Sequence, residues 1–290
     1  MASDEAGDDL AGSASTVRSF LLVEATGAWG TQALRATLFE PPVRTWLGSL
    51  EARHGVRALL VRRSGRRRDD TAAVTVFAAH ATPQGGWLER TELSGHEELP
   101  GLDDDVARLG RGERPAWSSY PASLFLTCTH GRHDACCAER GRPVWEAMRQ
   151  VEPEHSWQVS HVGGDRFAAN VIVLPEGLYY GRMEPRDAAR LAEAHRRGEL
   201  LLDRLRGRSS HPFAVQAAEI FLRRAVGLRG GADLVLRDHG REGDLTTAVF
   251  TVGERSWSVQ VRSRAAEPRQ LTCSATRPSR PLQHELVAIG

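Results

Sequence analysis

The residue types with the most chemistry in this sequence fall in two short stretches. The first is Cys128-Thr-His-Gly-Arg-His-Asp-Ala-Cys136-Cys137, and the second is His161-Val-Gly-Gly-Asp165-Arg166. Thiolate sulfur and imidazole nitrogen brought to one point suit zinc, copper or an iron–sulfur cluster, because these metals bond covalently to S and N. Structural zinc commonly takes cysteine pairs ~2–4 residues apart. Here eight residues separate Cys128 from Cys137, and a single histidine opens the second stretch, so the spacing does not favour zinc. A two-iron cluster needs two ligands per iron and is wider than one ion, which suits a long first loop and a second loop from another strand. Two readings from other classes stand beside it: a metal-free thiol oxidoreductase using the vicinal Cys136 and Cys137, and a structural zinc-binding interaction module. His130 and His133 read as residues beside the centre or facing solvent, and Asp134 as an acceptor that organises the loop.

Several elements must position these loops. Ser123-Leu-Phe-Leu-Thr127 reads as a strand running into Cys128, followed by a polar, Gly-rich loop. Pro143 reads as the first residue of a helix that carries Val144, Met148 and Val151 on one face. Trp157–His161 reads as a strand broken by Gly163-Gly164, Ala169–Leu174 as a third strand, and Gly177–Gly181 as a fourth, before a helix from Pro185 to about Arg197. The order is β-α-β-β-α, with cysteine and histidine at strand ends. Upstream, Ser19–Val23, the proline-entered helix Pro42–His54, and Val56–Val61 alternate as in an α/β protein. Thr71–Phe77 and Trp87–Leu93 follow as strands. Downstream come a helix from Pro212, with Phe213, Ala217, Ile220 and Phe221 sharing a face, and alternating strands at Thr246–Val252, Ser256–Arg262 and Gln270–Cys273. No repeat is visible in the sequence. The expected division is a disordered tail over 1–16, an N-terminal α/β domain over 17–110, a central domain over 120–207, and a C-terminal helix and β-hairpin extension over 208–290.

The stretches Cys-Thr-His-Gly-x-x-Asp-x-Cys-Cys and His-Val-Gly-Gly-Asp-Arg-Phe-Ala-Ala-Asn-Val-Ile-Val-Leu-Pro-Glu-Gly-Leu-Tyr-Tyr-Gly resemble the sucrase/ferredoxin-like family of thioredoxin-like [2Fe-2S] ferredoxins. The early Leu-Leu-Val-Glu-Ala-Thr-Gly-Ala-Trp-Gly is similar to that family's N-terminal segment. The resemblance implies an α/β fold in which a thioredoxin-like ferredoxin domain is combined with an N-terminal α/β domain and C-terminal β-strands. It also implies a [2Fe-2S] cluster with Cys128 and Cys137 as ligands, and His161 as the first histidine of a His-x-Gly-Gly-His pair. The second histidine is replaced by Asp165. The fourth ligand then falls to Asp165, Cys136 or Cys273, and the hardness of carboxylate beside sulfide argues for a thiolate. Gly163 and Gly164 would let backbone N–H groups approach the cluster, and Arg132 and Arg166 would offset thiolate charge. An imidazole ligand would raise the potential towards the Rieske range of ~−150 to +300 mV.

Composition narrows the rest. With Lys+Arg 38 against Asp+Glu 37, the net charge is +1, too little to neutralise a nucleic-acid backbone. Lysine is absent, which removes phosphate-loop, Schiff-base and Ser–Lys chemistry. There is no Gly-x-Ser-x-Gly elbow, His-Glu-x-x-His or dinucleotide fingerprint. No apolar run reaches the ~18 residues of a membrane span, and the N-terminus is acidic, so a cytoplasmic protein is expected. The expectation is a non-catalytic electron carrier or redox sensor that works with a redox protein partner and binds neither nucleic acid nor membrane.

Overall fold

A computed structural model describes residues 8–63, 73–271, 275 and 277–290. Its main feature is one ten-stranded sheet built from two halves of the same topology. The first half runs β1 (Ser19–Glu24), α1 (Pro41–His54), β2 (Val56–Arg62), β3 (Val74–Thr82), β4 (Gly85–Leu93), α2 (Asp103–Gly110) and β5 (Ser118–Ser119). The second runs β6 (Leu124–Cys128), α3 (Ala135–Val151), β7 (Ser156–Val159), β8 (Val171–Leu174), β9 (Leu178–Tyr180), α4 (Asp187–Arg196) and β10 (Leu205–Arg208). The sheet order is β10-β9-β8-β6-β7-β2-β1-β3-β4-β5, with β1/β2 and β6/β7 parallel and the other pairs antiparallel. Each half is therefore a β-α-β-β-β-α-β unit, and the two meet edge to edge at β2 and β7. The pairs Val61/Val159 and Arg62/Gln158 form that seam.

The seam explains why both faces of these strands are apolar. In β1, Leu21 and Val23 pack under α1 and α2, while Phe20 and Leu22 face the opposite side. Phe20 and Leu22 share a cluster with Leu124, Leu126, Trp157 and Ile172 of the second half, and the Phe77 and Trp157 rings meet edge to face at 5.6 Å. The helix-free faces of the two halves thus bury each other, at roughly 1.5–3 kcal/mol per large side chain. The helix faces follow the same logic: Val43, Trp46, Leu47 and Leu50 recur at helical spacing on α1 and are buried.

A third layer follows. Helix α5 (Phe213–Val226) packs between the second half and a four-stranded antiparallel sheet of β11 (Val235–Glu242), β12 (Leu245–Val252), β13 (Arg255–Ala265) and β14 (Leu282–Ile289). Val215, Ala218 and Leu222 of α5 belong to the buried face, whereas Phe213, expected on that face, is exposed. Among the described residues, no helix is long and apolar enough to cross a membrane.

Two expectations require correction. Residues 8–16, expected within a disordered tail over 1–16, are largely buried: Leu10, Ala11 and Ala14 join the core, and Ala14 exchanges two hydrogen bonds with Gln216 of α5. The second concerns Pro143, which lies inside α3 and does not open it. The helix starts at Ala135, capped by the Asp134 carboxylate accepting from the Cys136 N–H at 2.9 Å. Cys136 and Cys137 therefore sit in a first helical turn and not in a loop.

Candidate metal centre

Strand β6 ends at Cys128, whose N–H donates at 2.9 Å to the carbonyl oxygen of Asn170, the residue just before the neighbouring β8. The chain then turns through Thr129–His133 into α3, which crosses back over the strand end. Gly141 makes the crossing close, because a Cβ there would lie 2.0 Å from the Cys128 carbonyl oxygen. Cys137 precedes Gly141 by one helical turn and shares its face, so the same crossing brings the Cys137 side chain to Cys128. Strand β7 delivers His161 just beyond its end. The ligand atoms of Cys128, Cys137 and His161 all lie within 4.8 Å of one another.

The electrostatics are those of a proton-sharing cluster. A hydrogen bond from Cys137 holds the Cys128 thiol well below its ordinary pKa, against the opposing effect of burial, with His161 adding to the lowering. The same bond, together with burial, pushes Cys137 up. Burial works against a charged His161, yet the Cys128 sulfur and the Asp165 carboxylate outweigh it and raise its pKa. His161 Nε2 stands 3.2 Å from Asp165 Oδ1, while its Nδ1 is buried and without a hydrogen-bond partner. Two buried sulfurs and a bare, buried imidazole nitrogen are a donor set that fits a soft metal centre.

The remaining sequence candidates separate. Asp165 joins a second set, with His133 and His161. Cys136 falls in neither set among the described residues, and Cys273 lies outside the described residues. Gly163 and Gly164 both have positive φ (87° and 80°) and form the bend that returns the chain from His161 to Asp165. Arg166, expected to offset thiolate charge, ion-pairs with Asp8 at 3.4 Å and covers the Phe167 ring. Arg132 lines an open groove of about 520 Å³ beside the first loop, together with Trp29, Arg62 and Arg142.

Sequence reasoning missed Arg206, whereas His130 and His133, read there as residues beside the centre or facing solvent, acquire defined partners in the structure. Arg206 of β10 is 1% exposed and lies under the Gly163-Gly164 bend, within electrostatic reach of both Asp165 and Cys128; burial lowers its pKa to about 10. His130 donates through Nε2 to Gly30 O at 2.8 Å and accepts at Nδ1 from the His161 N–H at 3.3 Å. His133 stacks on His161 with ring centroids 3.8 Å apart and faces Thr31 O through Nδ1 at 3.4 Å. Both anchoring carbonyls belong to the first half, and only the histidine content of the first loop hinted at this in the sequence.

Comparison with known proteins adds an independent line. The description "Sucrase/ferredoxin-like" belongs to the family profile that matches residues 10–207. A curated relative, altered inheritance of mitochondria protein 32 from Meyerozyma guilliermondii, is 30% identical over 95 residues. That match covers 29% of this chain and 34% of the relative, so the chain spans about a third of the relative's length. Among solved structures, a thioredoxin-like [2Fe-2S] ferredoxin from Aquifex aeolicus is similar at 20% identity and a TM-score of 0.27, covering 31% of this chain and 94% of that one. A cysteine-to-serine variant of the same ferredoxin matches at 20% identity and a TM-score of 0.25, covering 29% of this chain and 97% of its own.

Proposed function

The chain belongs to the sucrase/ferredoxin-like family, and from that premise we propose that Cys128, Cys137 and His161 hold a [2Fe-2S] cluster through which the protein passes single electrons to a protein partner in a reducing compartment. The observation that carries this reading is the convergence of two buried sulfurs and the unpartnered, buried His161 Nδ1. When bound, such a cluster supplies one-electron redox chemistry at a potential set by its ligands, charge and hydrogen bonds.

The chain's own residues do the rest. Cys128 is disposed to act as a thiolate before any metal arrives, so loading releases fewer protons than an ordinary thiol pair would. His130 fixes the His161 backbone, and Asp165 fixes its ring. The buried Arg206 guanidinium has no carboxylate hydrogen-bond partner among the described residues; it places positive charge where reduction adds negative charge. Metal-free thiol exchange through Cys136 and Cys137 fits less well, because they are 7% and 1% exposed and exchange requires an accessible thiolate.

Arg62, Arg132 and Arg142 around the groove give this face a positive rim next to the first loop, which suits an acidic redox partner. Electron-transfer rates with such a partner should fall steeply with ionic strength, and Arg142→Glu should reduce both the rate and its salt dependence. The decisive experiment is anaerobic purification with metal, sulfide and absorption analysis. About two irons and two sulfides per chain, with bands in the visible range lost in Cys128→Ala, are expected. Colourless protein without iron, or protein retaining zinc alone, overturns the proposal.

A further inference from the structure

A cleft of about 820 Å³ opens where the start of β1 faces the loop from β10 into α5. None of its lining residues belongs to the candidate metal centre or to the groove beside it. We propose that this cleft binds a small hydroxylated phosphate monoester, with the phosphate held by Arg18, Ser210 and the first turn of α5. The site needs no cluster to form.

Charge selects an anion. Among the described residues Glu51 is the one carboxylate that lines the cleft, and Arg57 already pairs with it at 2.7 Å. Of the bases in the walls, Arg111 is held by Glu113 at 2.9 Å, and His211 stands 3.7 Å from Glu219. Arg18 is different: it is exposed, its Nη2 donates to Ser210 O at 3.4 Å, and it has no carboxylate partner among the described residues. Helix α5 begins beside that contact. It is 14 residues long, with no side-chain cap at Pro212 and no acidic residue in its first turn, so no side chain there offsets its leading N–H groups or the positive end of its dipole. Ser210 adds a separate observation. It lines the cleft at 4% exposure, and its hydroxyl is buried without a hydrogen-bond partner, which a phosphate oxygen would supply. The Ser209 hydroxyl next to it is turned against Gly177.

The walls supplied by the first half of the sheet offer acceptors instead. A carbonyl can only accept, so Ser19 Oγ donates to Leu109 O at 2.9 Å, and its oxygen takes the proton of His80 Nδ1, also at 2.9 Å. His80 Nε2 is left with its lone pair. Burial and the Arg18 charge lower the His80 pKa, which keeps the ring neutral. Helices α1 and α2 both end on the cleft, at Gly55 and Gly110, and bring their carbonyl-rich termini to it. Donors on one wall and acceptors on the other match an anion whose body carries hydroxyl groups. A bare oxyanion would use the first wall alone.

The test is isothermal titration calorimetry on the full chain, purified anaerobically, with glycerol phosphate, inorganic phosphate and glycerol as probes. Glycerol phosphate should bind once per chain and more tightly than inorganic phosphate, and glycerol should not bind. Arg18→Gln should weaken glycerol phosphate about 10–100-fold, the loss of one charged hydrogen-bonding partner. Ser210→Ala should weaken it by a smaller factor, and Arg132→Gln on the groove beside the first loop should not change it. Absence of binding by both phosphates in the millimolar range overturns the proposal, as does wild-type affinity in Arg18→Gln. Equal affinity for the two phosphates overturns the role of the acceptor wall. Because the three probes are compared on wild type, a variant that fails to fold leaves the test intact, and iron content measured on the same samples keeps its outcome separate from that of the cluster.

Discussion

Arg206 donates through Nη1 to Asn170 Oδ1 at 2.8 Å, and Asn170 in turn donates through Nδ2 to Gly164 O at 2.9 Å. The same Nη1 also reaches Gly163 O at 3.0 Å. The bend that carries His161 back to Asp165 is therefore tied from beneath by a buried guanidinium and one amide. Asn170→Ala leaves a buried carbonyl and part of a buried cation unpaired, which should cost about 2–4 kcal/mol of stability. Urea unfolding of the metal-free protein measures it; a change below about 0.5 kcal/mol would mean the tie is not structural.

Gly164 and Gly55 separate backbone strain from collision. Both adopt left-handed φ, +80° and +67°, but a Cβ on Gly164 would lie 2.2 Å from Arg206 Nη2, whereas one on Gly55 would meet nothing within 4 Å. Gly55→Ala should cost about 1–2 kcal/mol from the backbone alone. Gly164→Ala should cost clearly more, and it should displace the His161 loop. Equal losses in the two variants would refute the packing argument.

Gly141 offers a handle on the centre that touches no ligand. Gly141→Ala forces α3 away from the Cys128 carbonyl and so widens the gap between Cys128 and Cys137. Iron content should drop to a small fraction of wild type, whereas Gly48→Ala on the open side of α1 should leave it unchanged. Normal loading in Gly141→Ala would show that the helix can give way.

Acid stability should depend on Glu219. Burial by itself would raise its pKa, but Arg208, Arg223 and His211 together hold it down at about 2, from an ordinary 4.5. A depressed folded-state value means the stabilisation is present above pH 4.5 and disappears as pH falls from there towards 2. The difference corresponds to roughly 3 kcal/mol. Unfolding free energy measured between pH 6 and 3 should fall for wild type, with Glu219→Gln less stable at neutral pH and flatter across that range. Parallel curves would refute it.

The place of the candidate site was legible in the sequence where unusual residue types coincide with a glycine bend. Cys128, Cys137 and His161 converge as their types and the Gly163-Gly164 pair implied, and most strands follow from short apolar runs. What escaped notice depends on distant partners. Arg206 looks like any strand arginine, since its anchors include Ser13, 193 positions away. Pro143 imitates a helix start because its missing N–H is tolerated there, yet the cap lies at Asp134. The matching topology of the two halves leaves no shared motif, because sheet order follows from apolar patterning that many sequences satisfy.

The carbonyls of Gly30 and Thr31, which steady the ring nitrogens of His130 and His133, belong to the half of the sheet that contains no cysteine. One unit keeps the thiolates and its twin keeps the imidazoles in place. Excising the cysteine-bearing unit would give a fragment that keeps Cys128, Cys137 and His161 but loses the carbonyls that hold the His130 and His133 rings, so the smallest piece of this chain that preserves the candidate site's geometry is the joined pair.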